Sequence, residues 1–234
     1  MTFRLPENLA PENYPLGWLI DSWHGGGVME YDNIEAAAYL HEVTIDAVDA
    51  GPYLRFISRI WLANEHASAV DKEAPGQWTY DHLTKDVLWS TQTGYLRVNP
   101  DAPRREDGSY ELEATVATPV GNAQLWVGLI NGPRLQMVTD TIVRSGSAAD
   151  LQAAKFMGGN VASDFFYAYD MEAFGFEMRT YLAGRLSRQF DDSVDAPGKG
   201  NVVSSDDAVT PGTDSANASD DAGPAASDVR NESN

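Results

Sequence analysis

The chain has 234 residues, 43% of them hydrophobic and 10% aromatic, enough apolar area for one large core. It has no cysteine, which excludes disulfides, thiolate metal sites and cysteine nucleophiles and fits a reducing compartment. The formal net charge is −19; ten acids and two bases fall from Phe190 onward, leaving 25 acids and 14 bases on the rest, so the body is itself acidic and repels nucleic-acid phosphates and anionic membranes.

The N-terminus, "MTFRLPENLAPENYPLGWL", carries one early Arg and no long apolar run, so neither a secretory signal nor a membrane anchor is expected, and the cytoplasm is the expected location. A short helix is predicted over Leu9 to Trp18. "LIDSWHGGGVMEY", Leu19 to Tyr31, then sets three glycines inside an alternating, strand-like segment. Glycine weakens a strand, so a triplet there marks a bulge, a sharp bend or a close approach to the backbone. Strands are predicted at Tyr53–Leu62, Val87–Val98, Ser109–Val120, Ala123–Ile130, Arg134–Val143, Phe165–Met171 and Met178–Arg188, all rich in β-branched and aromatic residues. A second short helix is predicted over Ala148 to Met157. Turn chemistry separates the strands at Asp49-Ala50-Gly51-Pro52, Asp107-Gly108, Pro119-Val120-Gly121-Asn122 and Asn131-Gly132-Pro133. Short connections imply antiparallel neighbours, and near-regular spacing implies a sandwich or an up-and-down barrel with room for one small ligand.

After Phe190 the composition shifts to Asp, Ser, Ala, Gly and Pro with no aromatic residue. Such a segment buries too little apolar area to offset its ordering entropy. The expected organisation is therefore a barrel domain over 1–190 and a disordered acidic tail over 191–234.

The histidines are His24, His41, His66 and His82. His24 sits in the glycine segment, where a strand-surface role outweighs a ligand role. His41, in "YLHEVTI", reads as an ordinary strand residue. His66 and His82 fall in an acidic, insertion-like stretch, Ala63 to Asp86, and read as solvated. Trp23 and Trp126 read as core, Glu111 and Glu113 as a solvated strand face, and Trp61, Trp78 and Trp89 as cover for the barrel mouth.

Three stretches together resemble the nitrobindin family. Asp21-Ser22-Trp23-His24-Gly25-Gly26-Gly27 is similar to its G-x-W-x-G-x-G motif, with Asp21 in place of the first Gly; Thr93-Gly94-Tyr95-Leu96-Arg97-Val98 is similar to its T-G-Y-L-R strand. Met171 to Gly175, continuing to Tyr181-Leu182-Ala183-Gly184-Arg185-Leu186, resembles its final two strands. The resemblance spans about Leu16 to Arg188. It implies an all-β fold: a ten-stranded antiparallel up-and-down β-barrel of the fatty-acid-binding-protein or lipocalin-like type, with short helices at the rim. It also implies ferric haem b as cofactor, nitric oxide binding, and isomerisation of peroxynitrite to nitrate.

In that family one His on the last strand holds the iron. Ungapped alignment puts Tyr181 at that position, and none of the four histidines lies on that strand. Asn33 likewise stands where the family often has Thr. Tyr ligates haem as a phenolate, which needs a lowered pKa and so a nearby cation. Alternation along the strand puts Arg179, Tyr181, Ala183 and Arg185 on one face, where two guanidinium groups would favour the phenolate. Three readings stand. The first is a barrel with a haem-type cavity (Asp21 to Gly27 and Tyr181 as its cofactor-side residues) but no standard iron ligand, and no enzymatic activity. The second is a Tyr181-ligated ferric haem protein acting on nitric oxide or peroxynitrite. The third is a carrier of a small apolar molecule. All three require a small-molecule or haem ligand in the barrel, with no nucleic-acid or membrane partner; the sequence assigns no oligomeric state.

Deleting residues 191–234 is expected to leave the thermal unfolding of the body unchanged, because the tail lacks core-forming side chains. Loss of cooperative unfolding in the truncated protein would contradict this.

Overall fold

The structure is a computed structural model and describes residues 9–47 and 51–189. The acidic tail expected over 191–234 and the Asp49-Ala50 part of the first predicted turn lie outside the described residues.

Ten antiparallel strands close into a barrel: β1 (Asp21–Tyr31), β2 (Ile34–Ala47), β3 (Leu54–His66), β4 (Lys85–Val98), β5 (Tyr110–Ala117), β6 (Asn122–Asn131), β7 (Arg134–Arg144), β8 (Leu151–Val161), β9 (Asp164–Ala173) and β10 (Phe176–Gln189). Each strand pairs with its neighbours in sequence, and β1 pairs with β10 to complete the ring. The alternation in the sequence sets which side chains turn inward. On β6, Asn122, Gln124, Trp126 and Ile130 are buried, while Ala123, Leu125, Val127 and Leu129 are exposed. No helix among the described residues is long and apolar enough to cross a membrane.

The predicted helix over Ala148 to Met157 is instead the strand β8. The Ala-Ala-Lys-Phe-Met run favours helix locally, but strand partners on both sides supply hydrogen bonds and packing that override propensity. Ala154 is fully buried against the interior. The hairpins flanking β9 turn on Ala162-Ser163 and Phe174-Gly175, all four with positive φ (51°, 73°, 56° and 83°), as a two-residue turn between right-twisted strands demands.

One end of the barrel is plugged. A 3-10 helix, Pro11–Leu19, matches the helix expected near the N-terminus and inserts Leu16 and Leu19 below the strands. The Trp23 indole N–H donates to the Leu19 carbonyl at 2.8 Å. Arg188 lies over the Trp23 ring, 4.3 Å from its centroid, and donates to the carbonyls of Trp18 and Ile20 and to the Asp21 carboxylate. Trp23 and Trp126 are core residues, as expected. The 63–86 stretch packs on the outer wall rather than over the mouth: α1 (Gly76–His82) leads into Leu83, which buries with Ala38 and Leu40 of β2.

The glycine triplet sits on the closing seam. A Cβ on Gly25 would lie 2.0 Å from the Arg185 carbonyl oxygen, and one on Gly27 would lie 2.0 Å from that of Ala183. A Cβ on Gly26 would meet the Tyr39 carbonyl at 2.2 Å and the Thr79 methyl at 3.0 Å. These glycines admit neighbouring backbone and α1, and the space they leave belongs to the wall itself. Gly25→Ala is expected to destabilise the protein by about 2 kcal/mol or more, since the clash is with backbone that cannot rotate away. Gly146→Ala, with open space around it, is the control and should stay within about 0.5 kcal/mol of wild type in denaturant unfolding. Equal stability of the two variants would contradict the seam's close approach.

Candidate functional site

The interior holds two adjoining chambers. The deep one, about 170 Å³, is lined mainly by aromatic and aliphatic side chains, among them Phe56, Trp126, Phe156 and Phe165. The outer one, about 350 Å³, lies at the open mouth and includes Trp89, Gln92, Asn122, Gln124 and Tyr181. Ile60, Gln92, Tyr169 and Leu182 line both and form the waist between them. Among the described residues, no Asp, Glu, Lys or Arg lines either chamber.

The deep chamber contains a polar chain that the sequence did not reveal. The Tyr39 and Tyr167 hydroxyls are 2.7 Å apart, the Tyr167 hydroxyl is 2.5 Å from His41 Nδ1, and His41 Nε2 is 2.8 Å from Ser58 Oγ. With a neutral ring and all three contacts made, the polar chain can be ordered in either direction: Tyr39 to Tyr167 to Nδ1 with Nε2–H donating to Ser58, or Ser58 to Nε2 with Nδ1–H donating to Tyr167 and Tyr167 to Tyr39. Gly184 makes room for it, since a Cβ there would lie 2.4 Å from the Tyr39 hydroxyl. Burial pushes the His41 pKa down to about 3, so the ring is neutral. His41 is thus an interior residue with both nitrogens engaged. Only its place in the inward phase of β2, alternating with Tyr39, Val43 and Ile45, could have signalled this.

The residues singled out in the sequence do not meet at one site. Asp21 and Ser22 stand at the plugged end, where Asp21 accepts from Arg188 at 3.0 Å and Ser22 Oγ lies 3.4 Å from Thr44 Oγ1. Trp23 fills that end. Tyr181 is at the other end, roughly 20 Å away along the strands, counting about 3.3 Å per residue over the β1 positions from Trp23 to Met29 that face β10. His24 points outward and stacks on Tyr80 of α1, with ring centroids 4.5 Å apart. Beside it Glu42 accepts from Tyr80 and pairs with Lys85, and Lys85 also lies over the Trp61 and Tyr80 rings. That cluster fastens α1 to the wall. His66 and His82 are both on the insertion; His66 accepts from the Ser68 N–H, and exposed His82 stacks on Trp78. Of the three tryptophans expected over the mouth, only Trp89 is there.

Tyr181 departs from the expected alternation. The β10–β9 register shifts between Thr180 and Leu182, leaving Tyr181 as the extra residue of a bulge. Its ring packs edge-on against Tyr31 and Tyr169, and its hydroxyl accepts a hydrogen bond from the Trp89 indole N–H. The two arginines expected beside it are elsewhere: Arg179 pairs with Asp32 at 2.9 Å and Arg185 with Asp164 at 2.6 Å. Burial raises the Tyr181 pKa above its ordinary value, opposed only by the Trp89 hydrogen bond. A neutral phenol is a poor donor to ferric iron, and His41 is already bonded at both nitrogens. The residues present therefore do not fit a protein-ligated haem iron. Among the described residues, no group of three or more His, Asp or Glu side chains forms a metal cluster.

A closed ten-stranded barrel with a two-chamber interior defines a small-molecule-binding β-barrel. The chain belongs to the nitrobindin family: the model for the THAP4-like, heme-binding β-barrel domain matches residues 12–188. It is 33% identical over 214 residues to a ferric nitrobindin-like protein of Beutenbergia cavernae, covering 80% of this chain and 99% of that one. It is 32% identical over 189 residues to a peroxynitrite isomerase of Nocardioides sp., covering 81% of this chain and all of that one. The crystal structure of Rv2717c from M. tuberculosis has the same fold, with a TM-score of 0.60 at 23% identity over 78% of this chain and 99% of that one.

The neutral His41 makes a signed prediction. Its folded pKa lies below the ordinary 6.5, so the unfolded chain takes up a proton that the folded chain refuses. Its contribution to stability is complete above pH 6.5 and is lost as the pH falls toward 3. The stability advantage of wild type over His41→Gln should therefore shrink by about 2 kcal/mol between pH 7 and pH 5 in urea unfolding. An advantage independent of pH would contradict the buried neutral ring.

Proposed function

We propose that this chain is a nitrobindin-family barrel without the family's iron ligand, that it is not a peroxynitrite isomerase, and that its interior takes a small uncharged ligand. The observation that carries this reading is the state of Tyr181. At the position where the resemblance expects the axial His stands a phenol whose pKa burial raises, that Trp89 engages, and that no cation among the described residues accompanies. The size of the deep chamber supports it as well. The deep chamber is below the roughly 300–1,000 Å³ of ordinary ligand pockets, so its occupant is compact.

A second reading draws on one specific contact. The Trp89 N–H already donates to the Tyr181 oxygen, and a donor aimed there favours the phenolate that ferric iron would require. Under that reading the protein is a Tyr181-ligated ferric haem protein acting on nitric oxide or peroxynitrite.

Titrating hemin into wild type, Tyr181→Phe and Tyr181→His separates the two. The expected result is weak binding of undefined stoichiometry to wild type and to Tyr181→Phe, with a sharp Soret band for Tyr181→His, because imidazole ligates iron without losing a proton. Stoichiometric binding to wild type that Tyr181→Phe abolishes would establish the second reading and overturn the first.

A further inference from the structure

The mouth chamber presents unmet hydrogen-bonding groups of both kinds. Asn122 is 6% exposed, and its Oδ1 is buried with no hydrogen-bond partner. A buried acceptor left unpaired costs about 1–3 kcal/mol, so a donor brought to Oδ1 would be favoured. Gln124 is 5% exposed, and its Oε1 accepts from the Trp126 indole at 2.9 Å. That bond engages the amide oxygen and leaves the NH₂ of this chamber-lining residue without a hydrogen bond among the described residues. At the waist, the side chains of Gln92 and Tyr169 add two further polar groups with no hydrogen bond among the described residues. With no charged side chain among the described residues lining either chamber, an ionised ligand would be desolvated there without a counter-charge. The deep chamber beyond the waist is apolar over most of its wall, and at about 170 Å³ it is comparable to cavities of roughly 150 Å³ that take a benzene ring.

We propose that the barrel binds a compact neutral amphiphile: a single-ring apolar body in the deep chamber, and an uncharged head with both a donor and an acceptor, of the carboxamide or alcohol class, between Asn122 and Gln124. This deepens the small-ligand reading and rests on it. The head donates to Asn122 Oδ1 and accepts from the Gln124 amide, which meets the needs of both side chains at once. A carboxylate satisfies Gln124 but sets a negative charge against the Asn122 oxygen. A hydrocarbon satisfies neither.

Calorimetric titration of the full chain at pH 7.5 with 3-phenylpropanamide, 3-phenylpropanoate and propylbenzene tests this. The amide is expected to bind about tenfold or more tightly than either of the others. Asn122→Leu and Gln124→Met should each weaken the amide by about three- to tenfold while leaving propylbenzene unchanged, with thermal melts verifying the fold. If Asn122→Leu does not fold, the same comparison on Gln124→Met decides. Carboxylate binding as tight as the amide, or no binding by any probe, overturns the inference. Equal binding of propylbenzene and the amide overturns it too but leaves the small-ligand reading standing. Displacement of the amide by one equivalent of hemin, with a sharp Soret band, overturns that reading itself.

Discussion

The barrel depends on the seam where β1 meets β10. Ten strands form a closed wall only if the first and last lie edge to edge, and here they do so along eight residue pairs, from Ser22–Gln189 to Met29–Leu182. At the centre of that run any side chain on Gly25 or Gly27 would collide with the carbonyls of β10. Closure leaves neither β1 nor β10 as an open edge and fixes the height of β10, and with it the places of Tyr181, Gly184 and Arg188. The plug continues the same seam: Arg188 follows from the register that sets Trp23 opposite it, and it ties the N-terminal 3-10 helix to both strands.

From the closed wall the interior chemistry follows. Strands that alternate inward and outward deliver Tyr39, His41 and Tyr167 to one depth, where Gly184 gives them space and each hydroxyl or ring nitrogen finds a partner. Among the described residues no charged side chain lines either chamber, and several of the charged groups are held by partners away from them. Arg185 is held by Asp164 and by the carbonyls of Glu73 and Ala74, Lys85 by Glu42, and Arg179 by Asp32. Chambers with no charged lining among the described residues, and a phenol at the mouth whose pKa burial raises, are the features on which the proposed neutral-ligand reading rests.

The fold was legible where period and turn chemistry agreed. Seven predicted strands correspond to β3, β4, β5, β6, β7, β9 and β10, and the glycine segment to β1. β8 was hidden because Ala153 to Met157 favours helix locally and only its partners make it a strand. The site was less legible, for three physical reasons. A bulge moves Tyr181 out of phase, and no local residue type announces a bulge there. The partners of Arg179 and Arg185 are far away in sequence, so alternation alone misassigned them. The importance of His41 depends on Tyr167, 126 residues away. The glycine triplet signalled a close approach to the backbone as one of three readings, and the structure bears that one out; which backbone approaches, the β10 and β2 carbonyls, appears only once the ring is closed.

The central claim is that this barrel keeps the family's shell without its iron. The most direct measurement is the haem content of the full chain as purified after expression with a haem precursor in excess, by absorbance and by iron analysis on the same sample. The account predicts far less than one haem and one iron per chain. A ratio near one for both, retained through extensive dialysis, would contradict it.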